Sequence, residues 1–136
     1  MTAREAELIQ CFRIYSKANP ASAMGHFLLG KATGNEAELR RSIVLQPNPE
    51  AHFELGQLLE RNAKLPEAAL QFERTASLAP RNPTPHYRLF RIYTRLGKTT
   101  QAETHRKLQE KLTIAEKADA DKRQGSTKHL DLKVKP

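Results

Sequence analysis

Three short segments of this chain repeat one another: His26-Phe27-Leu28-Leu29-Gly30, His52-Phe53-Glu54-Leu55-Gly56 and His86-Tyr87-Arg88-Leu89-Phe90. Self-similarity of this kind marks a stack of like supersecondary units, each too thin to bury its apolar face alone. The second and third copies begin 34 residues apart. Between them Phe53, Leu55, Leu58 and Leu59 alternate with Glu54, Gln57, Glu60 and Arg61 at the helical period. Asn62-Ala63-Lys64 then reads as a turn. A second helix follows, with Pro66 near its start, Ala68, Ala69, Phe72 and Ala76 on one side, and Pro80 as its stop.

The run His52-x-x-Leu55-Gly56-x-x-Leu59, Ala68-x-x-x-Phe72, Pro80 resembles the tetratricopeptide repeat, whose pattern is Trp-x-x-Leu-Gly-x-x-Tyr, Ala-x-x-x-Phe and Pro. The resemblance implies an all-α solenoid of stacked antiparallel helix hairpins. In it Gly56 and Ala68 are small because the helices cross there, and Phe72 fills the space toward the next hairpin.

The other copies depart from the pattern in informative ways. Residues 83–123 form a terminal repeat that keeps Leu89, Tyr93, Gly97 and Ala102 but has Phe90 for the small residue and Arg106 for the aromatic. A polar outer face of that kind suits the end of a stack, and the second helix is expected to run on as a long C-terminal cap. Residues 21–47 form a shortened repeat. His26 and His52 are only 26 residues apart, and the missing residues are expected near Lys31 to Glu36, in the first helix or the turn. Residues 4–20 read as a half repeat, a second helix whose partner is missing, so the chain is expected to be either part of a longer repeat protein or capped by this helix. With the full repeat at 49–82, the repeat domain spans 1–123. Residues 124–136 open on Gln124-Gly125 and alternate Leu130, Leu132 and Val134 with charged residues, which is expected to give a basic, flexible tail.

Charge is uneven. Through residue 80 nine Lys/Arg face nine Asp/Glu, whereas from residue 81 fourteen face six, so the formal +8 belongs to the last hairpin and the tail. An electrostatic partner is therefore expected there. Cys11 is the single cysteine, which excludes an internal disulfide and a thiolate metal cluster. The N-terminal stretch is interrupted by Glu5, Glu7, Arg13 and Lys17, so it is neither a signal-peptide core nor a membrane span, and a cytoplasmic protein is expected.

Catalysis is not expected, nor is a cofactor. His26, His52 and His86 occupy equivalent positions on successive hairpins, about 10 Å apart, too far to share one ion at bonds of about 2 Å. Ser16, Ser42, Ser77 and Cys11 have no recognisable nucleophile elbow or neighbouring base, and there is no Gly-rich phosphate loop.

The resemblance implies instead that a protein or peptide binds along the first helix of each hairpin. The matching positions are Phe27 and Lys31; Phe53, Gln57, Glu60 and Arg61; and Tyr87, Arg91, Thr94 and Arg95. An aromatic row, Phe27, Phe53 and Tyr87, beside a basic end suits an acidic peptide with apolar anchors. The plainer reading has the aromatics packing within hairpins. The lysine and asparagine pattern with which some of the family clamp a terminal carboxylate is absent here. Two alternatives compete with a protein-binding scaffold: nucleic-acid binding by the basic last third, and self-association through the unpaired first helix with Ile9, Phe12 and Tyr15.

Overall fold

The computed structural model describes the backbone of residues 1–134 and the side chains of residues 1–125. Seven helices and no strand occur among the described residues, and 82% of the chain is helical. They are α1 (Ala3–Ala18), α2 (Ala23–Thr33), α3 (Glu36–Leu45), α4 (Pro49–Arg61), α5 (Leu65–Leu78), α6 (Thr84–Arg95) and α7 (Thr99–Val134). They pack as two units, α1 to α5 and, from Arg81, α6 with α7.

Local chemistry sets the ends. Thr2 accepts from the Glu5 amide at 3.1 Å while the Glu5 carboxylate accepts from the Thr2 amide at 2.8 Å, a reciprocal cap on α1. Ser22, Asn35 and Asn48 cap α2, α3 and α4 through the amides three residues on. All three hairpin turns close alike. The amides of Asn35, Lys64 and Lys98 donate to the carbonyls five residues earlier at 2.8–3.0 Å, and the residue before each is left-handed: Gly34 (φ 66°), Ala63 (φ 59°) and Gly97 (φ 74°). Only the middle hairpin makes this turn without glycine.

In the first unit, successive helices pack against one another from α1 to α5. Ala51, Leu55, Leu59, Ala68 and Phe72 are wholly buried between α4 and α5, and Leu39 is nearly so in α3. Burial of each leucine or phenylalanine stabilises by about 1.5–3 kcal/mol. In the second unit Leu89 and Ile92 play the same part on α6.

Two features of the packing refine the expectation. The three atoms nearest to where a Cβ on Gly56 would sit all belong to the Phe72 ring, the closest at 2.9 Å. Gly56 is thus small to admit the Phe72 ring, whose edge meets Phe53 at a centroid distance of 5.4 Å. Seven of the missing residues of the short repeat fall between Gly30 and Leu39, and they come from both helices as well as the turn. The first helix loses two residues relative to α4 and the turn loses one, but α3 has 10 residues where α5 has 14. The larger loss falls on the second helix because Leu39, one turn into α3, already fills the place over Gly30.

The last helix differs from expectation as well. The backbone of α7 continues through Gln124-Gly125 to Val134, where the sequence reading ends the helix and sees a strand-like alternation. One interior glycine costs a helix about 1 kcal/mol, too little by itself to end a run this long. Residues 135 and 136 of the expected tail lie outside the described residues. Arg106, in the position of the buried Phe72, faces solvent, where it donates to Glu103 and Glu110 at 2.6 Å each. Its hydrogen bond holds the Glu103 carboxyl below the usual carboxylate range and raises its own guanidinium further.

Candidate binding faces and a cleft beside them

Each hairpin places its repeated histidine at the crossing of its two helices. His52 Nδ1 donates to Gln71 Oε1 at 2.8 Å, and His86 Nδ1 lies 3.0 Å from His105 Nδ1, both nineteen residues along the chain. His26 Nδ1 meets Glu38 Oε2 at 2.6 Å, only twelve residues on. The shift of seven residues is two helical turns, so the short hairpin keeps the same face inward while changing partners. All three rings are buried, and each binds a residue of its own hairpin.

The residues after these histidines line the first-helix faces. On α2, Phe27 is half-buried and Lys31 exposed; the Lys31 ammonium lies 5.9 Å from the Phe27 ring centre and 3.5 Å from Glu54 on α4. Phe27 also floors a hollow of about 190 Å³ with Ala23, Met24, Gln46, Asn48 and Glu50. Met24, 60% exposed, gives this hollow an apolar lip. On α4, Phe53 turns inward against Phe72, Gln57 and Glu60 are half-buried, and Arg61 is exposed. The structure thus brings Phe27, Lys31 and the α4 face together through the Lys31–Glu54 contact, and gives Phe53 a packing role.

In the second unit the face of α6 repeats the arrangement. Tyr87 is 46% exposed, with the Arg91 guanidinium 5.8 Å from its ring centre. Thr94 and Arg95 are exposed on the next turn. Cation and aromatic are four residues apart in both units, the spacing that sets side chains one above the other on a helix.

A group the sequence reading passes over lies between α1, α2 and α3. Ser16, read as having no neighbouring base, has one: its Oγ is 3.2 Å from His26 Nδ1. The same nitrogen faces Glu38, while Nε2 donates to the Pro20 carbonyl at 2.8 Å. Serine and carboxylate thus meet one nitrogen, so the ring cannot pass a proton between them through its two nitrogens as a hydrolytic triad requires. Beside this trio opens a cleft of about 600 Å³ lined by Gln10, Arg13, Ile14, Lys17, Leu29 and Arg41. No sequence motif marks it, because its walls come from three separate helices.

On α1, Ile9 and Phe12 are half-buried, while Tyr15, 49% exposed, rests over Gly25, where an added Cβ would approach its ring to 3.0 Å. No helix among the described residues is long and apolar enough to cross a membrane.

No protein-family model matches the sequence, nor does any curated protein. Solved structures do match in fold. A crystal structure of MamA superposes with a TM-score of 0.80 at 18% identity, covering 85% of this chain and 72% of that one. A second MamA crystal structure gives a TM-score of 0.74 at 19% identity over 79% of this chain and 63% of that one. MamA contains tetratricopeptide repeats, so the fold is that of a tetratricopeptide-like helical repeat.

Proposed function

We propose that this chain is a non-catalytic scaffold that holds a protein or peptide ligand on the first-helix faces of its hairpins. One observation carries the reading: a cation stacked near an aromatic recurs at the same register in both units, Lys31 by Phe27 and Arg91 by Tyr87. A partly exposed ring with a cation over its face offers an apolar contact and a charge contact side by side. An acidic peptide with apolar anchors uses both, at about 0.5–1 kcal/mol for each exposed charge contact. The tetratricopeptide-like fold supports the same function, since stacked hairpins build extended surfaces for other chains.

Titration against a library of acidic peptides carrying Leu or Phe anchors tests it. Arg91→Glu with Arg95→Glu is expected to abolish binding at the α6 face with the helical circular dichroism signal intact, because both side chains are exposed. Binding that survives the double reversal but disappears on deletion of residues 124–136 would move the function to the basic last third, the behaviour expected of nucleic-acid attraction.

A further inference from the structure

The cleft between α1, α2 and α3 is separate from the first-helix faces. On α2 it uses His26 and Leu29, which lie about 100° or more around the helix from Phe27 and Lys31. Its rim carries Arg13 and Lys17 on successive turns of α1 and Arg41 on α3, all exposed and none within ion-pair distance of a carboxylate among the described residues. That distinguishes them from Arg40, next in sequence to Arg41, which bonds Glu36 at 2.8 Å.

The acid in the cleft is already taken. Glu38 Oε2 lies 2.6 Å from His26 Nδ1, while His26 Nε2 donates to the Pro20 carbonyl. Glu38 thus faces His26, and Arg13, Lys17 and Arg41 form no ion pair with it. The apolar part is small and central: Ile14 is 61% exposed on α1, and Leu29 lies almost buried at the floor.

We infer that this cleft binds a short acidic peptide segment, with carboxylates on the three cations and an apolar side chain between them on Ile14 and Leu29. Gln10 to Lys17 spans about 10 Å of helix, the length of about three extended residues at 3.3 Å each. Arginine suits the carboxylates because its planar fork takes two oxygens at once. The site is independent of the first-helix reading and can stand or fall without it.

The test uses the full chain and the capped tripeptide acetyl-Glu-Leu-Glu-amide, followed by NMR at the Ile14 and Leu29 methyls and the His26 ring. Saturable shifts at these three residues are expected, with none from acetyl-Gln-Leu-Gln-amide. Arg13→Gln with Arg41→Gln is expected to weaken the apparent affinity about tenfold, while Arg91→Glu with Arg95→Glu leaves it unchanged. Lys17→Gln provides the same comparison, at a smaller fold-change, should the double variant lose helical signal. The inference is overturned if the acidic peptide gives no saturable shift, if these substitutions leave the affinity unchanged, or if sodium phosphate at equal ionic strength saturates the same resonances and blocks the peptide, which would make the cleft a general anion site. Shifts confined to Phe27 and Tyr87 would support the first-helix faces and exclude the cleft.

Discussion

In the α4–α5 hairpin Gly56 admits the ring of Phe72 from sixteen residues along the chain, whereas in α2–α3 Gly30 lies against Leu39, nine residues on. Both pairs bring the helices close by setting a bulky side chain over a glycine. They differ in what can yield. Over Gly56 the close atoms are all in the Phe72 ring, but over Gly30 the Leu39 backbone nitrogen is 2.9 Å from where a Cβ would stand. A ring can tip by a few tenths of an ångström; a helix backbone has to move as a unit. The short hairpin is therefore the less forgiving of the two.

The largest effect is expected from Phe72→Ala, which removes a wholly buried ring and should cost about 3–5 kcal/mol in chemical denaturation. A cost under about 1 kcal/mol would mean the ring does not hold the hairpin. Gly30→Ala should come next. Overpacking costs about 1–3 kcal/mol and the gain in helix propensity returns about 1 kcal/mol, leaving a net loss that exceeds that of Gly56→Ala. Measured in parallel, the two alanine variants rank the hairpins directly, and the reverse order would contradict the difference in what yields.

Ala63→Gly should stabilise by about 0.5–1 kcal/mol, because alanine holds φ 59° where the other two turns use glycine. A destabilised variant would show that the Ala63 side chain matters more than its backbone angle. Arg106→Ala should leave the unfolding midpoint at neutral pH unchanged within error. Its partner Glu103 is held below the usual carboxylate range, so what little the pair contributes is present above that range and lost as pH falls through the folded value. The wild-type and variant midpoints should therefore stay together from neutral pH into acid; divergence there would contradict the pairing.

The fold was legible from residues whose role is local and repeated. His52, Leu55, Gly56, Phe72 and Pro80 report a hairpin because each is fixed by the crossing of its own two helices. Arg106 in place of the aromatic was read as an outward-facing residue, and it does face solvent. What escaped the sequence depends on register between segments of unequal length. That Leu39 would stand over Gly30 follows only once α3 is known to be four residues shorter than α5, and that Ser16 would meet His26 depends on how α1 packs on α2. The end of α7 was misplaced for another reason: Gln124-Gly125 weakens a helix locally but does not outweigh the turns before it. Among the site residues, the resemblance named Phe27, Lys31, Tyr87 and Arg91 without pairing them, and the inward turn of Phe53 toward Phe72 is a packing choice that the pattern of apolar positions does not distinguish from exposure.

The scaffold reading is tested most directly by locating a bound ligand on the amide resonances. An acidic, leucine-anchored peptide selected from the library should shift the amides around Phe27 and Lys31 on α2, or around Tyr87, Arg91 and Arg95 on α6, with an affinity that falls as salt rises because the cations are exposed. Saturable shifts at those positions, lost in Arg91→Glu with Arg95→Glu for the α6 face and in Lys31→Glu for the α2 face, are the predicted result. Shifts that leave both faces untouched while the peptide binds elsewhere on the chain would contradict it.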